Sequence, residues 1–158
     1  MSATLNLIGH PHTSLAQRTL ATNDHWAPLA LRLAGGVIFA AHGAQKLFGS
    51  FGGYGLEGTG QFFDSIGLTP GYLMALLAGA VEFFGGLALI VGLLVRPAAA
   101  ALAFSMLIAV FAVHFSNGFF LDKGGFEYAL AMLALSVSLF ISGAGKASVD
   151  RALSAKKK

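Results

Sequence analysis

Four long apolar segments dominate the pattern of hydrophobic and polar positions along the chain. A membrane-spanning helix needs about 20 mostly apolar residues, each adding about 1.5 Å along its axis. The segments that meet this requirement are 27–48, 71–95, 97–117 and 125–142. Proline stands at or near the start of the first three, where its missing N–H group costs little. The pattern therefore predicts an all-α fold, an integral membrane four-helix transmembrane bundle over residues 27–143.

The segments outside these spans carry separate predictions. Residues 1–26 lack the continuous apolar run of a secretory signal peptide, so we expect a flexible cytoplasmic N-terminal tail. Residues 144–158 are expected to form a basic cytoplasmic C-terminal tail. The connection 49–69 is long for a hairpin, and its apolar residues predict a short helix at the membrane interface. Those apolar residues are Phe62, Phe63, Ile66 and Leu68.

Composition supports a membrane protein and excludes several other classes. Of the 158 residues, 56% are hydrophobic and only 11% are charged, whereas a soluble domain carries about 25% charged residues. This argues against a soluble enzyme, a disordered chain and a nucleic-acid-binding protein. The chain has no cysteine, which excludes disulfides, cysteine-ligated clusters and covalent haem attachment of the c type.

The distribution of basic residues predicts the orientation in the membrane. Cytoplasmic loops of membrane proteins carry an excess of Lys and Arg. Eight of the ten basic residues lie at the two termini or near the predicted connection between the second and third spans, all on one side of the membrane. They are Arg18, Arg32, Arg96, Lys146, Arg151, Lys156, Lys157 and Lys158. Both termini are therefore predicted to be cytoplasmic.

Each predicted span also contains a His or Glu that should be costly in hydrocarbon. An ionisable group there costs at least about 2.5–3.5 kcal/mol and normally faces the bundle interior. Counting about 1.5 Å per residue from the cytoplasmic ends places His42, Glu82, His114 and Glu127 at roughly 20–26 Å. The four side chains are therefore predicted to share one layer in the outer half of the membrane.

Other polar residues follow at nearly the same depth. Gln45 and Lys46 lie three and four residues after His42, on the same stripe of a helix. Asn117 lies three residues after His114. The polar layer is thus predicted to continue outward along two of the spans.

Three interpretations of this layer remain open. In a structural one, Glu82 and Glu127 pair with His42, Lys46 or His114 and only fix helix register. In the second, His, Lys and amide groups bind the carbonyl oxygens of a quinone while a carboxylate relays protons. In the third, two His and two Glu complete a metal site, although no H-E-x-x-H spacing occurs.

Arg32 is a separate candidate, near the predicted cytoplasmic boundary. Its side chain can reach the lipid headgroups, as long basic side chains at helix ends do. Alternatively, it could clamp a polar headgroup or contact Glu82 from the cytoplasmic side.

Several motifs resemble the DoxX family of small four-helix bacterial and archaeal inner-membrane proteins. They are LRLAGGVIFAAHGAQKLFG in the first span, GAVEFFGGLALIVGLLVRPAA across the next two, and GGFEYALAMLALSVSLFISGAGKASVD at the end. The resemblance covers about residues 29–150. Its motif positions include Arg32, His42, Lys46, Glu82, Arg96, Glu127, Tyr128, Ser148 and Asp150.

The resemblance implies a multi-pass inner-membrane protein associated with an oxidoreductase system. Some relatives form the membrane subunit of a thiosulfate:quinone oxidoreductase. The expected partners are membrane lipid, a soluble or membrane oxidoreductase subunit, and further copies of the chain, with no nucleic acid. On the quinone hypothesis Glu82 and Glu127 relay protons. The predicted quinone-binding residues are Arg32, His42, Gln45, Lys46, His114, Asn117 and Tyr128.

Overall fold

The computed structural model describes Thr22 and residues 25–155, and this part of the chain contains helices and no strands. The six α-helices are α1 Ala27–Phe48, α2 Gly55–Ser65, α3 Gly71–Val91, α4 Val95–Ile108, α5 Glu127–Ser142 and α6 Val149–Ala155. Three helical stretches are long and apolar enough to cross a membrane: Ala27–Phe48, Gly71–Val91 and Val95–Asn117. The α5 helix is apolar but shorter, at 16 residues. The predicted all-α membrane bundle is confirmed.

The third span does not keep one helical geometry. It begins as α4, continues as a π-helical segment over Ala109–His114, and ends in a 3₁₀ turn over Phe115–Asn117. Within the bundle, α1 packs mainly against α3, and α4 packs mainly against α5. The buried core between them is built from apolar side chains that include Phe39, Leu89, Leu102, Met132 and Leu139.

Two glycines explain how α1 and α3 approach so closely. A Cβ atom on Gly43 would overlap the backbone of Phe83, and one on Gly86 would lie 2.7 Å from the carbonyl oxygen of Gly36. Neither position has room for a side chain, so helix backbones are in direct contact there. This contact fixes how residues of α1 and α3 face each other.

The second predicted span ends earlier than its hydropathy indicates. The α3 helix ends at Val91 because Gly92 takes a left-handed conformation, with φ of 75°, and caps the helix. Leu94 is also left-handed, with φ of 50°, and Val95 then begins α4. The turn between the two spans is therefore short and tight.

The connection between α1 and α3 contains the predicted helix, α2. Gly60 lies against the backbone of Gly71 and Tyr72, and Asp64 accepts a 2.7 Å hydrogen bond from the backbone N–H of Gly71. These contacts hold α2 against the start of α3. Its location at the membrane interface stays a prediction.

The predicted terminal tails lie only partly in the described residues. Residues 144–155 pack against the bundle, and residues 149–155 form α6. The N–H of Lys146 donates to the carbonyl oxygen of His25, and the N–H of Gly145 donates to Thr22 Oγ1. The start of α1 and the end of α5 therefore lie at the same end of the bundle. Most of segment 1–26 and residues 156–158 lie outside the described residues.

Candidate functional site

A cavity of about 940 Å³ lies inside the bundle, between α1, α2, α3, the third span and α5. Its wall is mostly apolar, with side chains such as Phe39, Phe63, Val81 and Met132. A few polar side chains from separate elements also line it. Those among the predicted site residues are His42, Gln45, Lys46, Glu82, His114 and Tyr128. An apolar wall with few convergent polar groups is typical of small-molecule sites.

The Lys46–Glu82 ion pair is the strongest polar contact in the cavity wall. Lys46 Nζ lies 2.5 Å from Glu82 Oε2, and the side chains are 24% and 4% exposed respectively. A Cβ atom on Gly79 would lie 2.8 Å from Leu47 Cδ2 and 3.2 Å from Lys46 Cβ, so the small residue on α3 makes room for both side chains of α1. The close approach of α1 and α3 thus brings the two charges together across the seam.

His42 lies one helical turn before Lys46 and faces α5. Its ring centroid lies 5.9 Å from that of Tyr128, with the rings tilted by 49°. His42 and Tyr128 therefore extend the polar group from the ion pair toward α5.

His114 is held at the end of the π-helical segment by the following loop. Its Nδ1 lies 2.8 Å from the carbonyl oxygen of Gly124. A carbonyl oxygen only accepts hydrogen bonds, so Nδ1 must carry the hydrogen and Nε2 remains for another partner. Single π-helical turns are frequent at functional sites. Here the turn places in the cavity wall an imidazole whose Nδ1 is bonded to the loop.

Two of the predicted site residues lie at the two ends of the loop before α5 and not in the cavity wall. Glu127 Oε1 accepts a 2.7 Å hydrogen bond from the backbone N–H of Leu121, and Asn117 donates to the carbonyl oxygen of Gly124 at 3.3 Å. Of the four residues predicted to share one layer, His42, Glu82 and His114 line the cavity, and Glu127 does not. Counting residues gives a height along a helix but not the direction of the side chain.

The proposed metal-ligand set is not assembled by this geometry. Within Thr22 and residues 25–155, no group of three or more His, Asp or Glu side chains is arranged to hold a metal ion. Of the predicted ligands, Glu127 instead accepts a hydrogen bond from the loop backbone.

Arg32 lies far from the cavity wall, beneath the C-terminal segment. It is 1% exposed, and its Nη1 and Nη2 donate to the carbonyl oxygens of Ala144 and Ala147 at 2.6 and 2.7 Å. It therefore reaches neither the lipid headgroups nor Glu82. Hydrogen bonds inside the protein replace both of the contacts predicted for Arg32.

Asp150 completes this arrangement and was not among the predicted site residues. Its two carboxylate oxygens accept hydrogen bonds from the N–H groups of Leu94 and Val95, at 2.7 and 2.9 Å. We call Arg32, Asp150 and these four backbone partners the C-terminal clasp. The signal that could have found it is the GxGxxSxD motif, in which Asp150 is the last residue.

Fold and cavity together define a small multi-pass helical membrane protein with a ligand-sized site inside its bundle. The chain belongs to the DoxX family, whose family model matches residues 27–115. The predicted multi-pass inner-membrane location is thereby confirmed.

Relatives from three bacteria match most of their own length. The protein named "Putative oxidoreductase CatD" of Bacillus subtilis (strain 168) is 34% identical over 77% of this chain and 83% of its own. "Inner membrane protein YqjF" of Escherichia coli (strain K12) is 30% identical over 81% and 92%. An uncharacterized protein of Haemophilus influenzae is 36% identical over 60% and 78%. No solved structure gives a significant match.

Proposed function

We propose that this protein is a quinone-binding membrane subunit of an oxidoreductase system. The observation that carries the proposal is the Lys46–Glu82 ion pair in the wall of a largely apolar cavity. A quinone has the matching chemistry, because an apolar ring carries oxygen atoms at its two ends.

The size and wall of the cavity support this ligand class. Sites for drug-sized molecules measure about 300–1,000 Å³ and are lined mainly by hydrophobic and aromatic side chains. The cavity of about 940 Å³ falls in this range and includes Phe39, Phe62 and Phe63 in its wall. These rings supply apolar surface for a planar ligand.

The polar groups in the wall divide into donors and proton carriers. Lys46 Nζ and the amide of Gln45 can donate to a quinone oxygen, and an imidazole can donate or accept. Glu82 is the carboxylate we propose to relay protons, since it lines the cavity while Glu127 does not. The proton-relay role that the sequence predicted for Glu127, and the binding roles predicted for Arg32 and Asn117, have no support from their positions.

The source of electrons is proposed to be a partner subunit. Quinone reduction takes up electrons and protons, and the chain has no cysteine from which a thiol centre could be built. The relative from Bacillus subtilis carries an oxidoreductase name, which supports placing this protein beside redox enzymes.

The test is quinone binding by the purified full-length protein in mild detergent. We expect quinone in an organic extract of the wild type, and saturable binding of decylubiquinone after it is removed. Glu82→Gln should weaken binding at least tenfold, because it removes the anion that holds the donor Lys46 Nζ in the cavity wall, and a hydrogen bond to a charged group is worth about 1.5–3 kcal/mol. His42→Ala should also weaken it.

The matched control is Glu127→Gln, which makes the same chemical change outside the cavity. It should leave quinone affinity within twofold of wild type. A wild type that carries no quinone and shows no saturable binding would contradict the proposal. The structural interpretation, a membrane anchor without catalysis, would then explain the ion pair.

A further inference from the structure

The cavity opens sideways, on the outer surface of the bundle between α3 and α4. Leu77 of α3 and Phe104 of α4 line the cavity and yet remain 51% and 66% exposed. Their helices are membrane spans, so the surface on which they are exposed faces lipid. A molecule dissolved in the bilayer can therefore reach the polar residues without passing through water.

A shallow groove continues from this opening along the same two helices. It has a volume of about 410 Å³ and is lined by nine apolar residues of α3, the turn and the start of α4. They are Ala80, Val81, Phe84, Gly85, Ala88, Leu94, Pro97, Ala98 and Ala101. Val81 and Ala101 line both the cavity and the groove. The two spaces therefore lie next to each other at these two side chains.

The groove extends away from the polar groups of the cavity. From Val81 the groove follows α3 to Ala88, which is about seven residues or about 10 Å of helix rise. This is the direction away from Lys46, which contacts α3 at Gly79 and Glu82. A ligand that fills both spaces must have a polar head and a long apolar tail.

We infer that the cavity and groove form one binding site for a lipid-soluble quinone, with the ring in the cavity and the hydrocarbon tail in the α3–α4 groove. This inference rests on the proposed function and adds the class of quinone: long-tailed, and entering from the bilayer. The cavity volume is at the upper end of the range for sites that hold whole small-molecule ligands. A quinone ring alone therefore leaves much of the cavity unfilled.

The experiment compares two probes on the full-length protein in detergent micelles. Decylubiquinone carries the tail, and its tail-free ring analogue does not. With both affinities referred to the probe free in water, wild type should bind decylubiquinone at least tenfold more tightly, because moving as few as two methylene groups from water into an apolar site is worth about tenfold.

Ala98→Phe fills the groove without touching the cavity, since Ala98 lines only the groove. It should weaken decylubiquinone binding about tenfold and leave the tail-free analogue unchanged. Ala100→Phe is the matched control, because Ala100 is exposed on the same helix and lines neither space. It should change neither affinity. Ala88→Phe places the same ring from α3 and replaces Ala98→Phe if that variant does not fold.

Each other outcome overturns a distinct part of the proposal. If the tail-free analogue binds but Ala98→Phe and Ala88→Phe leave both affinities unchanged, the groove does not hold the tail, while the proposed function stands. If those variants instead lose co-purified phospholipid and keep decylubiquinone affinity, the groove holds an acyl chain. If neither probe binds wild type, the proposed function and this inference both fail.

Discussion

At the scale of residues, the Lys46–Glu82 pair is a contact whose loss should be costly. Lys46→Met leaves the Glu82 carboxylate, 4% exposed, without its cation. Removing one partner of a buried ion pair typically costs about 3–5 kcal/mol, because the remaining charge stays uncompensated. We expect a loss of this size in the free energy of unfolding, measured by denaturant titration in detergent.

The double variant Lys46→Met/Glu82→Leu is the control for that prediction. Replacing a whole buried pair by apolar residues of similar volume is often neutral or stabilising. The double variant should therefore recover most of the stability lost in Lys46→Met. If Lys46→Met costs less than about 1 kcal/mol, the pair behaves as an exposed one and the predicted burial energy is absent.

Arg32 gives a second prediction at this scale, at the other end of the bundle. Its two hydrogen bonds to Ala144 and Ala147 use different nitrogens of one planar guanidinium group. A lysine cannot reproduce that fork, so Arg32→Lys should cost about 1.5–3 kcal/mol of unfolding free energy. Measurement is again by denaturant titration.

Arg96→Lys is the corresponding control. Arg96 also donates to a backbone carbonyl, that of Phe140 at 2.7 Å, but the contact is exposed. Surface substitutions usually change stability by no more than about 0.5 kcal/mol. If Arg32→Lys and Arg96→Lys lose the same free energy of unfolding, the buried clasp contributes no more stability than an ordinary surface contact.

The sequence could predict some of these residues and not others, for a physical reason. Lys46 and Glu82 are conspicuous because an ionisable group in an apolar span is costly and needs a partner. Arg32 and the carbonyl of Ala144 are 112 residues apart, and no local pattern relates them. Glu127 was misplaced because helix spacing gives height, while the loop backbone at Leu121 determines where its carboxylate binds.

At the scale of elements, the seam between α1 and α3 depends on Gly43. A methyl group there would overlap the backbone of Phe83, which cannot move without moving α3. Overpacking of this kind typically costs about 1–3 kcal/mol. Gly43→Ala should therefore lower the free energy of unfolding by that amount, and it should weaken quinone binding by shifting Lys46 relative to Glu82.

The control for the seam is Gly35→Ala on the same helix. Its added methyl group would meet Leu135 Cδ2 at 2.7 Å, the far end of a flexible side chain that can turn away. Replacing glycine by alanine also favours the helix by up to about 1 kcal/mol. Gly35→Ala should therefore be close to neutral, and a loss equal to that of Gly43→Ala would contradict the backbone contact as the cause.

Element positions were more predictable than element geometry. Hydropathy located the spans, and Gly92 explains why α3 stops at Val91 despite apolar residues beyond it. The helix within 49–69 followed from its apolar spacing. The π-helical segment Ala109–His114 was not predicted, because it differs from an α-helix only in hydrogen-bond register and the same side chains fit both.

At the scale of the whole molecule, the start of α1 and the end of α5 lie next to each other. The N–H of Lys146 bonds to the carbonyl of His25 at 3.1 Å, so α1 starts where α5 ends. An even number of crossings produces this arrangement, so α5, apolar but only 16 residues long, is expected to be the fourth crossing. Whichever side of the membrane holds one end therefore holds the other.

The last prediction is that the end of the bundle with the C-terminal clasp faces the cytoplasm. Eight of the ten Lys and Arg residues lie at this end or in the sequence next to it, and basic residues are retained on the cytoplasmic side during insertion. A phosphatase that is active only in the periplasm should therefore be silent when fused after Lys158. The same enzyme inserted at Gly67, where a side chain would meet no neighbour within 4 Å, should be active. The reverse pattern would place the clasp in the periplasm, and the cavity residues would then lie in the cytoplasmic half of the membrane.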